Sequence, residues 1–383
     1  MTTPLGFVTW DRDDPTGGNV YNQAVIAELR ALGLDVQKRT LGGMWPEGDA
    51  SAHAQLARAL RSAPVSLVDG IVACGAPDVI TAAVDSGHTV IIVLHLPISD
   101  EVGLEPSRRE RYAALEARAV WAASGLLCPS RWSAAQVMHR YRRRDVGVAL
   151  PGVTPAAVAR GSQDSGTPRF LTLASLTPTK DQLTVVQALA QVADLSWTAA
   201  LVGSDHADPS YAGRVRAEIS AAGLGERITV PGTLAGEALD QEWEAADLLL
   251  LTSRTESYGL VVVEALARGI PAVVSADTGA VEALGEGRAN TQNVVTPGTA
   301  VPAGDPASLA ALLRSWLTEP TLRKQWRQAA LARRDTLPGW RQTAEAVLAY
   351  LERLPPSIQA GSLPASPPTP PLAQPPSAPS SQS

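Results

Sequence analysis

Short apolar runs alternate with longer stretches of helical spacing along most of this chain. Residues 5–10, 90–94, 126–128, 146–150, 170–174, 197–202, 228–230, 248–251 and 272–275 are largely apolar, the pattern of strands buried on both faces. Residues 35–39 and 68–72 read as two further strands. Residues 19–32, 52–61, 105–124, 134–138, 181–192, 308–317, 321–334 and 341–354 read as helices. Strand then helix, many times over, predicts an α/β chain built on parallel sheets.

Breaks divide the pattern. Residues 154–167 are small and polar, a linker between an expected first domain at 1–153 and a second at 168–336. Pro338-Gly339 interrupts the chain within 337–354, before its last helix. Residues 355–383 hold ten of the 30 prolines and no charge. Such a segment cannot bury a core and is expected to be disordered.

The richest stretch is 248–282, LLLLTSRTESYGLVVVEALARGIPAVVSADTGAVE. A strand leads through a polar loop to Glu256 and Gly259. A helix starting near Tyr258 then runs past Glu264 and stops at Gly269, with Pro271 just behind. Glu256 therefore lies on a loop at the C-terminal end of a strand, where open parallel sheets bind ligands. The helix start adds N–H donors and positive dipole, suited to phosphate or carboxylate. By pattern alone, Glu256 serves equally well as a helix cap and Glu264 as a surface acid.

Three other features bear on chemistry. Gly17-Gly18, after the first strand and before a helix, fits half of a nucleotide-binding unit, although a tight turn needs glycines too. His95 follows the 90–94 strand; a lone histidine there is by default a boundary residue with its hydrogen bonds satisfied. The run from His139 to Arg144 ends a helix that Ser130 caps. Its positive charge complements the helix dipole. With Trp132 and Tyr141 it also composes a patch for a membrane surface or an anionic acceptor.

SRTESYGLVVVEALARGIPAV resembles the E-x7-E signature of retaining glycosyltransferases of the GT-B fold, family 4 in particular. The matching positions are Glu256, Tyr258-Gly259, Glu264-Ala265, Gly269, Pro271 and the loop from Gly279 to Glu282. The resemblance extends over residues 5–354. It implies two Rossmann-like, doubly wound α/β domains facing a central cleft, with the terminal helix crossing back onto the first. It also implies hexosyl transfer, with retention, from a UDP- or GDP-sugar to a sugar, lipid-linked or small-metabolite acceptor. No cofactor beyond the donor is implied, and no D-x-D-type site calls for a metal.

The resemblance also assigns residues. Lys180 matches the lysine of the G-R-L-x-x-x-K-G segment and would hold the diphosphate. Ser175 stands where that segment has arginine, and Asp181 where it has glycine. Arg254 is the candidate replacement for the missing clamp. Glu264 would accept the ribose hydroxyls, Glu256 would contact the transferred sugar, and His95 would bond one of its hydroxyls. Gly17 and Gly18, with the amides of Tyr258, Gly259 and Leu260, would approach the phosphates. Gly203, Gly232, Thr233 and Leu234 would flank the base. The catalytic set is thus Glu256, His95 and Lys180. Pro151 replaces the asparagine of the V-x-N-G-V interdomain segment, and Gly304-Asp305-Pro306 matches the P-x-G-D segment. The loss at Ser175 equally fits a catalytically weak nucleotide-sugar-binding protein. The architecture would also serve an epimerase or a phosphorylase.

Composition narrows the setting. With 383 residues and 45% apolar content, two domains of ordinary size can each bury a core. A net charge of −6 argues against a nucleic-acid partner. Cys74 and Cys128 lie at no metal-ligand spacing and fit a reducing cytosol. No apolar run is long enough to span a bilayer, and the N-terminal residues enter a strand directly, unlike a signal peptide. A cytoplasmic enzyme is expected, at the inner face of the membrane if its acceptor is lipid-linked.

Overall fold

The computed structural model describes residues 4–11, 16–164, 166–285 and 295–354. Two six-stranded sheets form. The first contains β1 (Leu5–Trp10), β2 (Val36–Leu41), β3 (Val65–Asp69), β4 (Thr89–Val93), β5 (Gly125–Cys128) and β6 (Val146–Val148). The second contains β7 (Arg169–Leu173), β8 (Thr198–Val202), β9 (Ile228–Gly232), β10 (Leu248–Leu251), β11 (Ala272–Ser275) and β12 (Gly298–Val301). Every described pairing is parallel.

Helices cover both faces. Around the first sheet lie α1 (Gly17–Ala31), α2 (Ala50–Arg61), α3 (Gly70–Gly75), α4 (Pro77–Asp85), α5 (Pro106–Ala122) and α6 (Arg131–Tyr141). Around the second lie α7 (Gln182–Ala190), α8 (Pro209–Ala221), α9 (Glu237–Ala245), α10 (Leu260–Ala267) and α11 (Ala280–Leu284). Then follow α12 (Pro306–Thr318), α13 (Pro320–Arg334) and α14 (Trp340–Leu351). Because helices pack on both sides, β10 is buried at all four leucines. That double burial is why it reads as a continuous apolar run instead of an alternating one.

The strand orders are β2-β1-β3-β4-β5-β6 and β12-β11-β10-β7-β8-β9. Each reverses direction once, beside β1 in the first sheet and between β7 and β10 in the second. The crevice outside such a reversal, at the C-terminal strand ends, is where open α/β sheets take ligands. The chain returns to its first half at the end. The Tyr350 hydroxyl of α14 accepts from Leu126 N at 3.0 Å and donates to Asp145 O at 2.9 Å. Thr343 Oγ1 donates to Leu150 O at 2.8 Å. Trp340 packs edge-on against Tyr21 of α1.

Two readings of the pattern need correction. Residues 68–72 are not one strand: β3 ends at Asp69, whose carboxylate caps Ile71 N at 2.9 Å and starts α3 at once. The helix in the 248–282 stretch begins at Leu260, two residues later than its pattern suggests, so Glu264 lies just over one turn into it. The expected disorder of 355–383 concerns residues outside those described.

Candidate active site

The second half of the site is sewn together by the loops after β7 and β10. Thr252 Oγ1 donates to Asp181 O at 3.2 Å, and Arg254 N donates to Thr179 O at 2.8 Å. That registry brings Lys180 to Glu256, with Nζ 2.6 Å from Oε2. Ser253 Oγ donates to the same oxygen at 3.3 Å. The lysine side chain is 30% exposed and the glutamate 13%. Gly259 caps α10 at φ +82°, a left-handed conformation that a side chain would strain. It turns the helix start toward the pair.

Glu264 points its carboxylate at no hydrogen-bond partner among the described residues. Burial pushes its pKa up, and the Arg268 guanidinium opposes this. Gly203 N donates to Gly232 O at 2.9 Å, so the ends of β8 and β9 that carry Gly203, Gly232, Thr233 and Leu234 adjoin one another. Ser175 is tied in by its carbonyl, which accepts from Gln182 Nε2 at 3.0 Å. Arg254 is engaged by the Asp181 carboxylate, and its guanidinium fills the space where Gly304 lacks a side chain. As a phosphate clamp it would first have to leave that partner.

The first half contributes from across the cleft. A Cβ on Gly17 would touch Leu260 at 3.4 Å, and one on Gly18 would meet the His95 ring at 3.0 Å. The Gly-Gly start of α1, His95 and the start of α10 are thus immediate neighbours. Further bonds bridge the halves. Thr179 Oγ1 donates to Glu101 Oε2 at 2.7 Å and accepts from Val102 N at 3.0 Å. Ser130 Oγ donates to Ser257 O. Glu282 accepts from Trp132 N at 3.1 Å and from Arg131 at 3.3 Å, capping α6 from the other side of the cleft.

Residues 156–333 match the family described as glycosyl transferases group 1. A solved sucrose-phosphate synthase from Thermosynechococcus elongatus superposes with a TM-score of 0.76 at 19% identity, over 92% of this chain and 99% of that one. HepE of Anabaena, solved with UDP and glucose, superposes with a TM-score of 0.71 at 19% identity, over 92% and 100%. The chain has the GT-B fold, and its residues 156–333 are of the glycosyl transferases group 1 type. A D-inositol 3-phosphate glycosyltransferase from Thermomonospora curvata is 26% identical to it over 88% of this chain and 90% of its own length. A mannosylfructose-phosphate synthase from Agrobacterium fabrum is 32% identical over 22% and 18%.

Sequence reasoning missed two residues that the GT-B fold brings to this cleft. Asn22 and Asp69 lie directly behind His95. The available signal was a polar residue on the apolar stripe of α1, whose buried positions are Tyr21, Asn22, Val25, Ile26 and Leu29.

Part of the basic run is drawn into the protein, while His139, Arg142 and Arg144 stay exposed. Arg143 is buried and bonds Asp145 and the carbonyls of Val120 and Ala123. Arg140 pairs with Asp100 at 2.6 Å, and Tyr141 is core. Among the described residues, no helix is long and apolar enough to cross a membrane.

The same region buries Glu116 of α5, 1% exposed, against the turn at Ile98–Asp100. Its carboxylate accepts from Ile98 N and, at 3.4 Å, from Ser99 N. This turn leads into Glu101 and Val102, which reach Thr179. Burial, more than any neighbour, raises the Glu116 pKa to about 7. The folded state therefore holds a proton that the unfolded chain releases near pH 4.5, and stability falls as pH rises from there through 7. The loss is on the order of 3 kcal/mol. Glu116→Gln keeps an acceptor for Ile98 without the charge. Its melting temperature is expected to exceed that of the unmodified protein by roughly 5 °C at pH 8 and to match it at pH 5. Calorimetry at the two pH values checks this.

Proposed function

We propose that this glycosyltransferase moves a hexosyl group from a nucleoside-diphosphate sugar to a hydroxyl-bearing acceptor, with retention at the anomeric carbon. The observation that carries the reading is the Lys180–Glu256 pair, a cation and a carboxylate at the switch point of the second sheet beside the start of α10. In the donor complex the diphosphate draws Lys180 from Glu256. The amides of Tyr258, Gly259 and Leu260 and the Gly17-Gly18 start of α1 complete its cradle. Glu256 then accepts from hydroxyls of the transferred sugar, and Glu264 from those of the ribose. His95 bonds another sugar hydroxyl.

The acceptor oxygen approaches the anomeric carbon from the face on which the diphosphate departs. The bond from that carbon to the diphosphate oxygen breaks as the new glycosidic bond forms. The acceptor's proton passes to the departing phosphate oxygen, so Glu256 positions the sugar and removes no proton. Lys180 and the helix start stabilise the charge that develops on the leaving group.

The relatives' names support a small acceptor: they speak of inositol phosphate, mannosylfructose phosphate and sucrose phosphate. A UDP-glucose complex of HepE supports a UDP-linked donor, with GDP as the other base to be tried. The experiment is a thermal-shift panel of nucleotide sugars, followed by nucleotide release from UDP-glucose and GDP-mannose with small polyol phosphates, using Glu256→Ala as control. Stabilisation with release that the variant abolishes supports the transferase. Stabilisation without release under any acceptor favours the binding-protein reading drawn from Ser175.

Glu264 gives a separate check. Ribose hydroxyls bind its ionised form, and burial raises its pKa. UDP affinity is therefore expected to weaken as pH falls through that raised value. Glu264→Gln should bind UDP about 10-fold more weakly at pH 7.5 and lose the pH dependence. Isothermal titration at pH 5 and 7.5 reads both.

A further inference from the structure

His95 has two ring nitrogens, and its surroundings decide which of them carries the proton. Behind it stand two buried side chains, Asn22 at 1% and Asp69 at 5% exposure. The Asn22 amide donates from Nδ2 to Asp69 Oδ2 at 2.6 Å. An ionised carboxylate only accepts, so the NH₂ end of Asn22 must face Asp69 and the carbonyl end must face away. That carbonyl, Oδ1, lies 2.9 Å from His95 Nε2. A carbonyl oxygen also only accepts, so Nε2 must carry the hydrogen.

Asp69 cannot turn to relax this order, because its other oxygen caps α3 at Ile71 N. The ring cannot turn freely either. Tyr21 packs edge-on against it with centroids 5.1 Å apart, and Gly18 lies against its Cδ2 edge. Burial holds the His95 pKa below the ordinary imidazole range, with the Asp69 charge opposing. A neutral ring with hydrogen on Nε2 has a bare lone pair on Nδ1. Nδ1 bonds no described residue, and the side chain keeps 20% of its surface exposed.

We infer that Asn22 and Asp69 are positioning residues: they fix His95 as the Nε2–H tautomer, so that Nδ1 offers the substrate a hydrogen-bond acceptor. The inference rests on the sugar-contact role proposed above for His95. It adds a direction to that contact: the sugar hydroxyl donates and the histidine accepts. The opposite tautomer would present a donor at the same place. The relay runs from the end of β3 through α1 to the loop after β4, next to the reversal in the first sheet.

The test is a long-range ¹H–¹⁵N correlation on the full chain at pH 7.5, with the His95 signals assigned by their loss in His95→Ala. Nε2 is expected protonated and Nδ1 bare. Asp69→Asn preserves shape and the α3 cap but frees Asn22 to reverse its amide, and should populate the Nδ1–H tautomer. Asn22→Ala removes the bridge and should mix the two. Both should lower kcat for nucleotide release from UDP-glucose by at least about 10-fold while leaving UDP affinity unchanged.

A wild-type spectrum showing Nδ1–H overturns the proposal, and this measurement requires neither variant to fold. So does a tautomer that stays fixed in both variants, or a kcat that ignores a tautomer change. The tautomer needs no donor to be measured. Failure of wild-type turnover would therefore count against the transferase reading alone.

Discussion

Lys180→Ala is expected to slow release of nucleotide from the donor by about 10²–10³-fold, the usual cost of removing one group that stabilises charge on a leaving oxygen. The residue has no close substitute. Arg254, the other cation on these loops, is held by Asp181. The variant also strands Glu256, whose side chain is only 13% exposed. Because Lys180 itself is nearly a third exposed, solvent screens the pair, and the stability lost is about 1 kcal/mol. A double variant, Lys180→Ala with Glu256→Gln, separates the two effects. It should recover most of the stability, since no unpaired charge remains, and none of the rate. Melting temperatures and single-turnover rates for the three variants test this. Equal rates for Lys180→Ala and the unmodified protein would remove the lysine from the diphosphate site.

Gly279→Ala is expected to have the larger structural effect. A Cβ there would lie 2.0 Å from Ser257 O, 2.3 Å from Ser257 C and 2.9 Å from Tyr258 N, all backbone atoms. No rotamer relieves such a contact, so the main chain from Ser257 to Tyr258 must move. Gly279 N also donates to Glu256 O at 2.7 Å, a bond that ties the loop after β11 to the loop after β10. Overpacking of this kind costs about 2–4 kcal/mol, or roughly 5–10 °C in melting temperature. The displaced segment carries Glu256 and the amides before α10, so UDP binding should weaken as well. Calorimetry and titration with UDP give both readings. A variant that melts and binds like the unmodified protein would mean that this loop contact is dispensable.

The strands of both sheets were largely legible because each is covered on two faces, which leaves a continuous apolar signature. β12 escaped: Gly298–Val301 is short, begins with glycine and reads like the loops around it. Residues 68–72 misled for another reason. Val72, Ala73 and Cys74 are buried all round in a one-and-a-half-turn helix, and a short helix with no exposed face has no period to reveal it. At the candidate site, Glu256 and the two glycines stand out by pattern, because loops after strands collect ligands, and Lys180 and His95 through the family resemblance. What their sequence spacing could not show was the pairing of Lys180 with Glu256, or the relay behind His95. Those depend on which strands become neighbours. Cross-cleft partners such as Glu282 and Trp132 lie 150 residues apart, and nothing local in either segment announces the other.

The bonds across the cleft also bear on timing. Ser130 to Ser257 and Val102 to Thr179 are neutral, whereas Glu282 to the start of α6 and Glu101 to Thr179 each engage a carboxylate. A neutral bond contributes about 0.5–1.5 kcal/mol net and one to a charged group about 1.5–3 kcal/mol. Parting the two halves therefore costs several kcal/mol, so a gaping form is a minor species at rest. Swings of this size occur in microseconds to milliseconds. Ligand exchange through the cleft thus has its own clock, set by contacts remote from the reacting carbon, and trimming Glu282 would speed that clock without touching the chemistry.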